Sequence, residues 1–87
     1  MLKQFTLMEE LLLRSLGFTP PTSKYFYGYH AMWKALDGRA ISGNGGSDTP
    51  VYTTQRSPTA VQLVCFSIEE ALSTLGFLHD AKQVRPN

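Results

Sequence analysis

Cysteine is almost absent: Cys65 stands alone among 87 residues. No internal disulfide can form, and a cysteine-rich zinc site is excluded. A reducing, cytoplasmic setting is the simplest for such a domain. Charge of one sign is lacking as well, since eight Lys and Arg oppose seven Asp and Glu for a net charge of +1. No global field draws the chain toward a phosphate backbone or an anionic lipid surface. Long apolar runs are missing too. The opening MLKQFTLMEELLL is broken by Glu9 and Glu10, and no small-residue cleavage site follows it. Nothing approaches the ~20 apolar residues of a membrane span. A soluble protein with no membrane partner is expected.

Catalytic and metal-binding constellations are equally sparse. His30 and His79 are the only histidines, with no acidic or cysteine partner at metal-ligand spacing. Cys65 falls on an apolar stripe and reads as a buried, inert thiol. The pairs Glu9-Glu10 and Glu69-Glu70 invite comparison with paired catalytic carboxylates. Places in first helical turns account for both through capping and the helix dipole. Ser42-Gly43-Asn44-Gly45-Gly46 lacks the Gly-Lys-Ser/Thr ending of a P-loop and reads as a flexible loop. A backbone-amide nest for an anion is the alternative there. No enzyme, no metal and no cofactor are expected.

What the chain does contain is enough apolar material, 43%, for one small core. Chains of this size bury only about 60% of their unfolded surface, so the stability margin is thin. One domain over 1–78 with a polar tail at 79–87 is the expected organisation.

Three helices are predicted. Thr6-Leu7-Met8-Glu9 matches a capping box, and a leucine-rich helix 1 runs from there to Leu16 with Gly17 as its stop. Its apolar residues cover most of its circumference, which predicts burial on more than one side and makes a homodimer plausible. Thr19-Pro20-Pro21-Thr22 is a stiff connector. Ser23 can cap helix 2, Lys24 to Leu36, which exits at Asp37-Gly38 and holds five of the aromatic residues. The stripe Val61, Val64, Cys65, Ile68, Leu72 and Leu75 predicts helix 3, opened by Ser57-Pro58 and closed by Gly76. The fold class is therefore mainly α, a three-helix domain with a Gly-rich loop between helices 2 and 3. The β-branched content of Val61–Phe66 supports an alternative, an α+β fold with a hairpin pairing 51–54 with 61–66. FTLMEELLLRSLGF and FSIEEALSTLGF also look alike, which repeated cap-and-stop syntax explains better than a duplication.

Leu16-Gly17-Phe18, Pro20 and the Gly28–Leu36 segment GYHAMWKAL form a pattern similar to the start of the output domain of the stage-zero sporulation response regulator. Ser57-Pro58-Thr59-Ala60-Val61 followed by Ile68-Glu69-Glu70-Ala71-Leu72 resembles that family's DNA-recognition helix. The resemblance implies a helical, DNA-binding domain of helix-turn-helix type, with Lys24, Lys34, Arg39 and Arg56 contacting phosphates. From Ser57 to Leu75 there is no Lys or Arg to reach a major groove.

Composition points first to another class, a small non-enzymatic protein-binding module or inhibitor that occupies a surface of a partner protein. Five aromatics in nine positions of helix 2 exceed what one buried face absorbs, and Tyr and Trp are favoured interface anchors. Tyr25, Tyr27, His30 and Trp33 are the expected anchors, with Lys24, Lys34 and Arg39 at the rim. A DNA-binding regulator is the alternative.

Overall fold

A computed structural model describes residues 4–22, 27–44 and 48–78. It shows helix α1 (Leu7–Ser15), a 3-10 turn (Gly28–Ala31), strands β1 (Trp33–Lys34), β2 (Ala40–Gly43), β3 (Tyr52–Gln55) and β4 (Leu63–Cys65), and helix α2 (Ile68–Thr74). The strands form one antiparallel sheet in the order β1-β2-β3-β4. The fold is α+β. The expectation of a mainly α, helical three-helix domain is overturned. The hairpin offered as the alternative is present in the register Tyr52↔Cys65, but within a four-stranded sheet.

Helix 1 forms where the sequence places it. The Thr6 hydroxyl accepts from the Glu9 amide at 3.2 Å, and the Glu9 carboxylate accepts from the Thr6 amide at 2.9 Å. Helix 2 does not form over the described residues 27–36. Gly28 has φ +58°, outside the helical region, and the chain is extended at Met32. Trp33 then turns inward at 4% exposure while Leu36 is fully exposed, so the two share no face. Asp37-Gly38 is not a helix exit but the turn of the β1–β2 hairpin. The Ala35 amide donates to the Arg39 carbonyl at 2.8 Å, the Gly38 amide donates to Ala35 at 3.0 Å, and Gly38 has φ +94°. That is the three-residue hairpin loop that Asp-Gly favours.

Helix 3 divides at Ser67. Its backbone is extended, with φ −145° and ψ 157°, and its hydroxyl caps α2 by accepting from the Glu70 amide at 3.0 Å. Ser57-Pro58 opens a turn instead of a helix, closed by the Ala60 amide on the Ser57 carbonyl at 3.1 Å. Proline's fixed φ suits the second position of a turn as well as the first turn of a helix. From Ile68 onward the stripe is helical, and Ile68, Leu72 and Leu75 are buried as that period demands.

One core cluster joins both helices to one face of the sheet. Phe5, Leu13 and Phe18 around α1 and Ile68, Ala71, Leu72 and Leu75 of α2 meet Trp33, Ile41, Tyr52 and Cys65. Both helices end alike. The Phe18 amide reaches back to Leu13 at 2.9 Å and the Phe77 amide to Leu72 at 2.8 Å, across Gly17 at φ +96° and Gly76 at φ +88°. Each is a Schellman stop, in which a residue without Cβ takes the left-handed step. The two phenylalanines beyond these stops pack on each other with centroids 4.6 Å apart.

Candidate functional site

The residues expected to form a contact surface are distributed differently. Lys24 and Tyr25 lie outside the described residues. Tyr27 is 85% exposed, immediately before the 3-10 turn. His30 is exposed on that turn, its ring edge-on to Tyr29 at 6.1 Å. The Lys34 ammonium sits 4.8 Å over the Tyr29 ring, and the Tyr29 hydroxyl donates to the Gly38 carbonyl at 2.6 Å. His30 and Lys34 thus both meet the Tyr29 ring, whose hydroxyl reaches the hairpin turn, while Tyr27 stands exposed at the start of the 3-10 turn.

Trp33 is not with them. It is buried, edge-on to Phe5 at 5.7 Å, with the Arg14 guanidinium 5.1 Å over its ring. As an inward residue of a strand it serves the core instead of anchoring a partner. Arg39 is also committed within the fold. Its guanidinium lies 3.8 Å over Phe77, donates to the Leu75 carbonyl at 2.8 Å and pairs with Asp37 at 2.7 Å. The Arg39 amide bonded to Asp37, together with the nearby guanidinium, holds that carboxyl below its ordinary 3.8. Arg56 donates to the Thr74 carbonyl at 2.7 Å. Two arginines therefore satisfy the open carbonyl end of α2, where a helix presents its negative pole.

Other exposed residues carry a stronger signal. Nine large apolar side chains stand exposed among the described residues, and seven lie in two short stretches. On α1, Leu7, Met8 and Leu11 are 64%, 76% and 56% exposed. Leu11 neighbours both Leu7 and Met8 on the helix surface, and the three form an outward apolar strip on a helix whose first turn carries Glu10. At the sheet margin, Val61, Leu63, Val64 and Phe66 are 81%, 51%, 57% and 65% exposed. The breadth of helix 1's apolar surface is visible in the sequence. The β4 stretch is assigned to a buried stripe by helical spacing, and only its extended backbone brings it to the surface.

A cleft of about 200 Å³ opens between the end of α1 (Leu16, Gly17), the β1–β2 turn (Ala35 to Arg39) and Phe77. Its walls are mostly apolar, and its guanidinium is already paired with Asp37. Among the described residues no group of three or more His, Cys, Asp or Glu could hold a metal ion. None of their helices is long and apolar enough to cross a membrane. Cys65 is buried, with its sulfur 3.7 Å from the Thr74 hydroxyl.

No family model, no curated protein and no solved structure matches the chain. The likeness to the sporulation regulator's output domain therefore rests on the residues that suggested it. The helix-turn-helix geometry it implied is not formed among the described residues. The Ser57–Val61 segment is a turn with an extended exit, and α2 begins only at Ile68.

Proposed function

We propose that this chain is a small non-enzymatic protein-binding module, acting in the cytoplasm by occupying a surface of a partner protein. The observation that supports the reading is the outward strip of α1. Leu7, Met8 and Leu11 are exposed on a domain whose core is already closed by the other face of the same helix, through Leu13. A helix that is apolar outside as well as inside has surface left to bury. The chemistry it selects is an apolar groove with a basic group placed to meet Glu10, since the Glu9 carboxylate is held by the Thr6 amide and the Tyr52 hydroxyl. Tyr27, exposed at the start of the turn that carries His30, supplies a second contact of the Tyr-rich kind that interfaces favour.

The test is affinity capture from the native cell extract after nuclease treatment, with Met8→Glu/Leu11→Glu as the comparison. Both side chains are exposed, so circular dichroism should be unchanged while the captured partner is lost. A partner retained by the variant at wild-type yield rules against this surface.

A second reading has its own support. Lys34 stacked on Tyr29, with Tyr27 and His30 exposed nearby, is the basic-aromatic composition that takes nucleic-acid bases by stacking. It would act through this strip and not through a recognition helix. It predicts binding to DNA or RNA that weakens steeply with salt and is lost in Tyr27→Ala/Lys34→Ala. No mobility shift on any nucleic acid at low salt removes it.

A further inference from the structure

Glu10 and Arg14 lie a turn apart on α1, so they stand on the same flank of the strip formed by Leu7, Met8 and Leu11. The acidic group belongs to the first turn and the basic group to the last. Glu9 is held by the Thr6 amide and the Tyr52 hydroxyl, whereas the Glu10 carboxylate has no hydrogen-bond or ion-pair partner among the described residues. Arg14 is exposed, with its guanidinium over the Trp33 ring. An arginine stacked in this way still has in-plane N–H donors to give.

We propose that α1 packs antiparallel against α1 of a second copy of this chain, about a two-fold axis beside Leu11. This rests on reading the strip as a binding surface and names its occupant. Charge order selects the copy. The occupant must bring an apolar strip, a cation to meet Glu10 and an anion to meet Arg14, in reverse order along its length. An antiparallel α1 brings all three. In such a pair each flank meets the same flank of the other helix, so Glu10 of each copy comes opposite Arg14 of the other. A parallel copy would set Glu10 against Glu10. The antiparallel direction also places the positive first-turn end of each helix beside the negative last-turn end of the other. Across the axis Leu11 meets Leu11, and Leu7 and Met8 meet Ser15, whose small exposed side chain leaves them room. Three exposed apolar side chains per copy make a small patch, and interfaces burying less than ~1,200 Å² associate weakly. The dimer therefore forms with a dissociation constant on the order of 100 µM.

Sedimentation equilibrium of the full chain from about 10 µM to about 2 mM tests it. The wild type should show a monomer–dimer equilibrium. Glu10→Arg and Arg14→Glu each set like charges opposite each other twice, and each should weaken dimerisation at least about tenfold. Mixed in equal amounts, the two variants should recover it, because both contacts across the axis then join Arg to Glu. Like charges persist within each helix of the mixture, so recovery cannot come from pairing inside one chain. Leu11→Lys, at a site 56% exposed, should weaken the dimer as far while keeping the wild-type circular dichroism spectrum. It and Glu10→Arg carry the test if Arg14→Glu, having lost its contact with Trp33, does not fold. A wild type monomeric throughout, folded variants that dimerise normally, or a mixture of folded variants that fails to recover would each overturn the proposal. Only the purified chain is used, so a monomeric wild type removes the second copy as occupant and leaves capture from the extract to decide the strip itself.

Discussion

Replacing Tyr52 by Phe removes one oxygen from β3 and little else. The Tyr52 hydroxyl donates to a Glu9 carboxylate oxygen at 2.5 Å, tying the first turn of α1 to a strand 43 residues later. Phenylalanine keeps the ring, which is 4% exposed and stacked on Phe5 at 6.1 Å. A hydrogen bond to a charged acceptor contributes about 1.5–3 kcal/mol, so the variant should be less stable by that amount near neutral pH. For a domain this small the melting temperature should fall by at least about 6 °C.

The alkaline side gives the sharper result. Burial first, and then the bond to Glu9, push the Tyr52 phenol from 10.0 up to about 12. The unfolded chain's phenol ionises at the lower value and the folded chain's at the higher. Its contribution is therefore complete below pH 10 and is lost as pH rises from 10 through 12. The stability carried by this shift should therefore fall steadily across that interval. The stability gap between wild type and Tyr52→Phe, measured by urea unfolding, should narrow over this interval. A phenolate absorbance step near pH 12 should be present in the wild type and missing from the variant. A gap that stays constant from about pH 9 to pH 12 would refute the reasoning.

Other substitutions test other joints. Gly43→Ala should cost about 1–3 kcal/mol in a thermal melt, because the new Cβ would lie 2.7 Å from the Gln4 carbonyl and from the buried Phe5 ring; an unchanged melt would show that the segment before α1 yields. Gln55, 6% exposed, donates to the Pro58 and Ala60 carbonyls at 3.3 and 3.1 Å and accepts from Gln62 at 2.9 Å. Gln55→Ala should destabilise by about 1–3 kcal/mol and speed hydrogen exchange at residues 57–62, and protection left intact there would sink the assignment. Arg39→Lys should lower the melting temperature nearly as far as Arg39→Ala, since an ammonium cannot lie flat on Phe77 while also bonding Leu75 and Asp37; full rescue by lysine would reduce the contact to simple charge.

Local chemistry by itself fixed both ends of α1 and the C-terminal end of α2, whereas the start of α2, expected at Ser57-Pro58, falls after Ser67. Thr6 with Glu9, and Leu-Gly-Phe at the close of each helix, act within a few residues, so those ends stand where their signals stand. Signals that serve two structures could not be resolved locally. Ser57-Pro58 opens a helix or a turn, Asp37-Gly38 ends a helix or makes a hairpin, and the spacing of Val61, Val64 and Cys65 fits a stripe or an alternating strand. Tertiary structure decided these, because β2 and β3 offer ladder partners to Trp33 and Cys65 that no neighbour in sequence can offer. The same long-range pairing buried Trp33, which composition alone casts as an anchor, and left Val64 exposed on β4. Which rings face inward is a property of the sheet register. Residues far apart in the chain set that register.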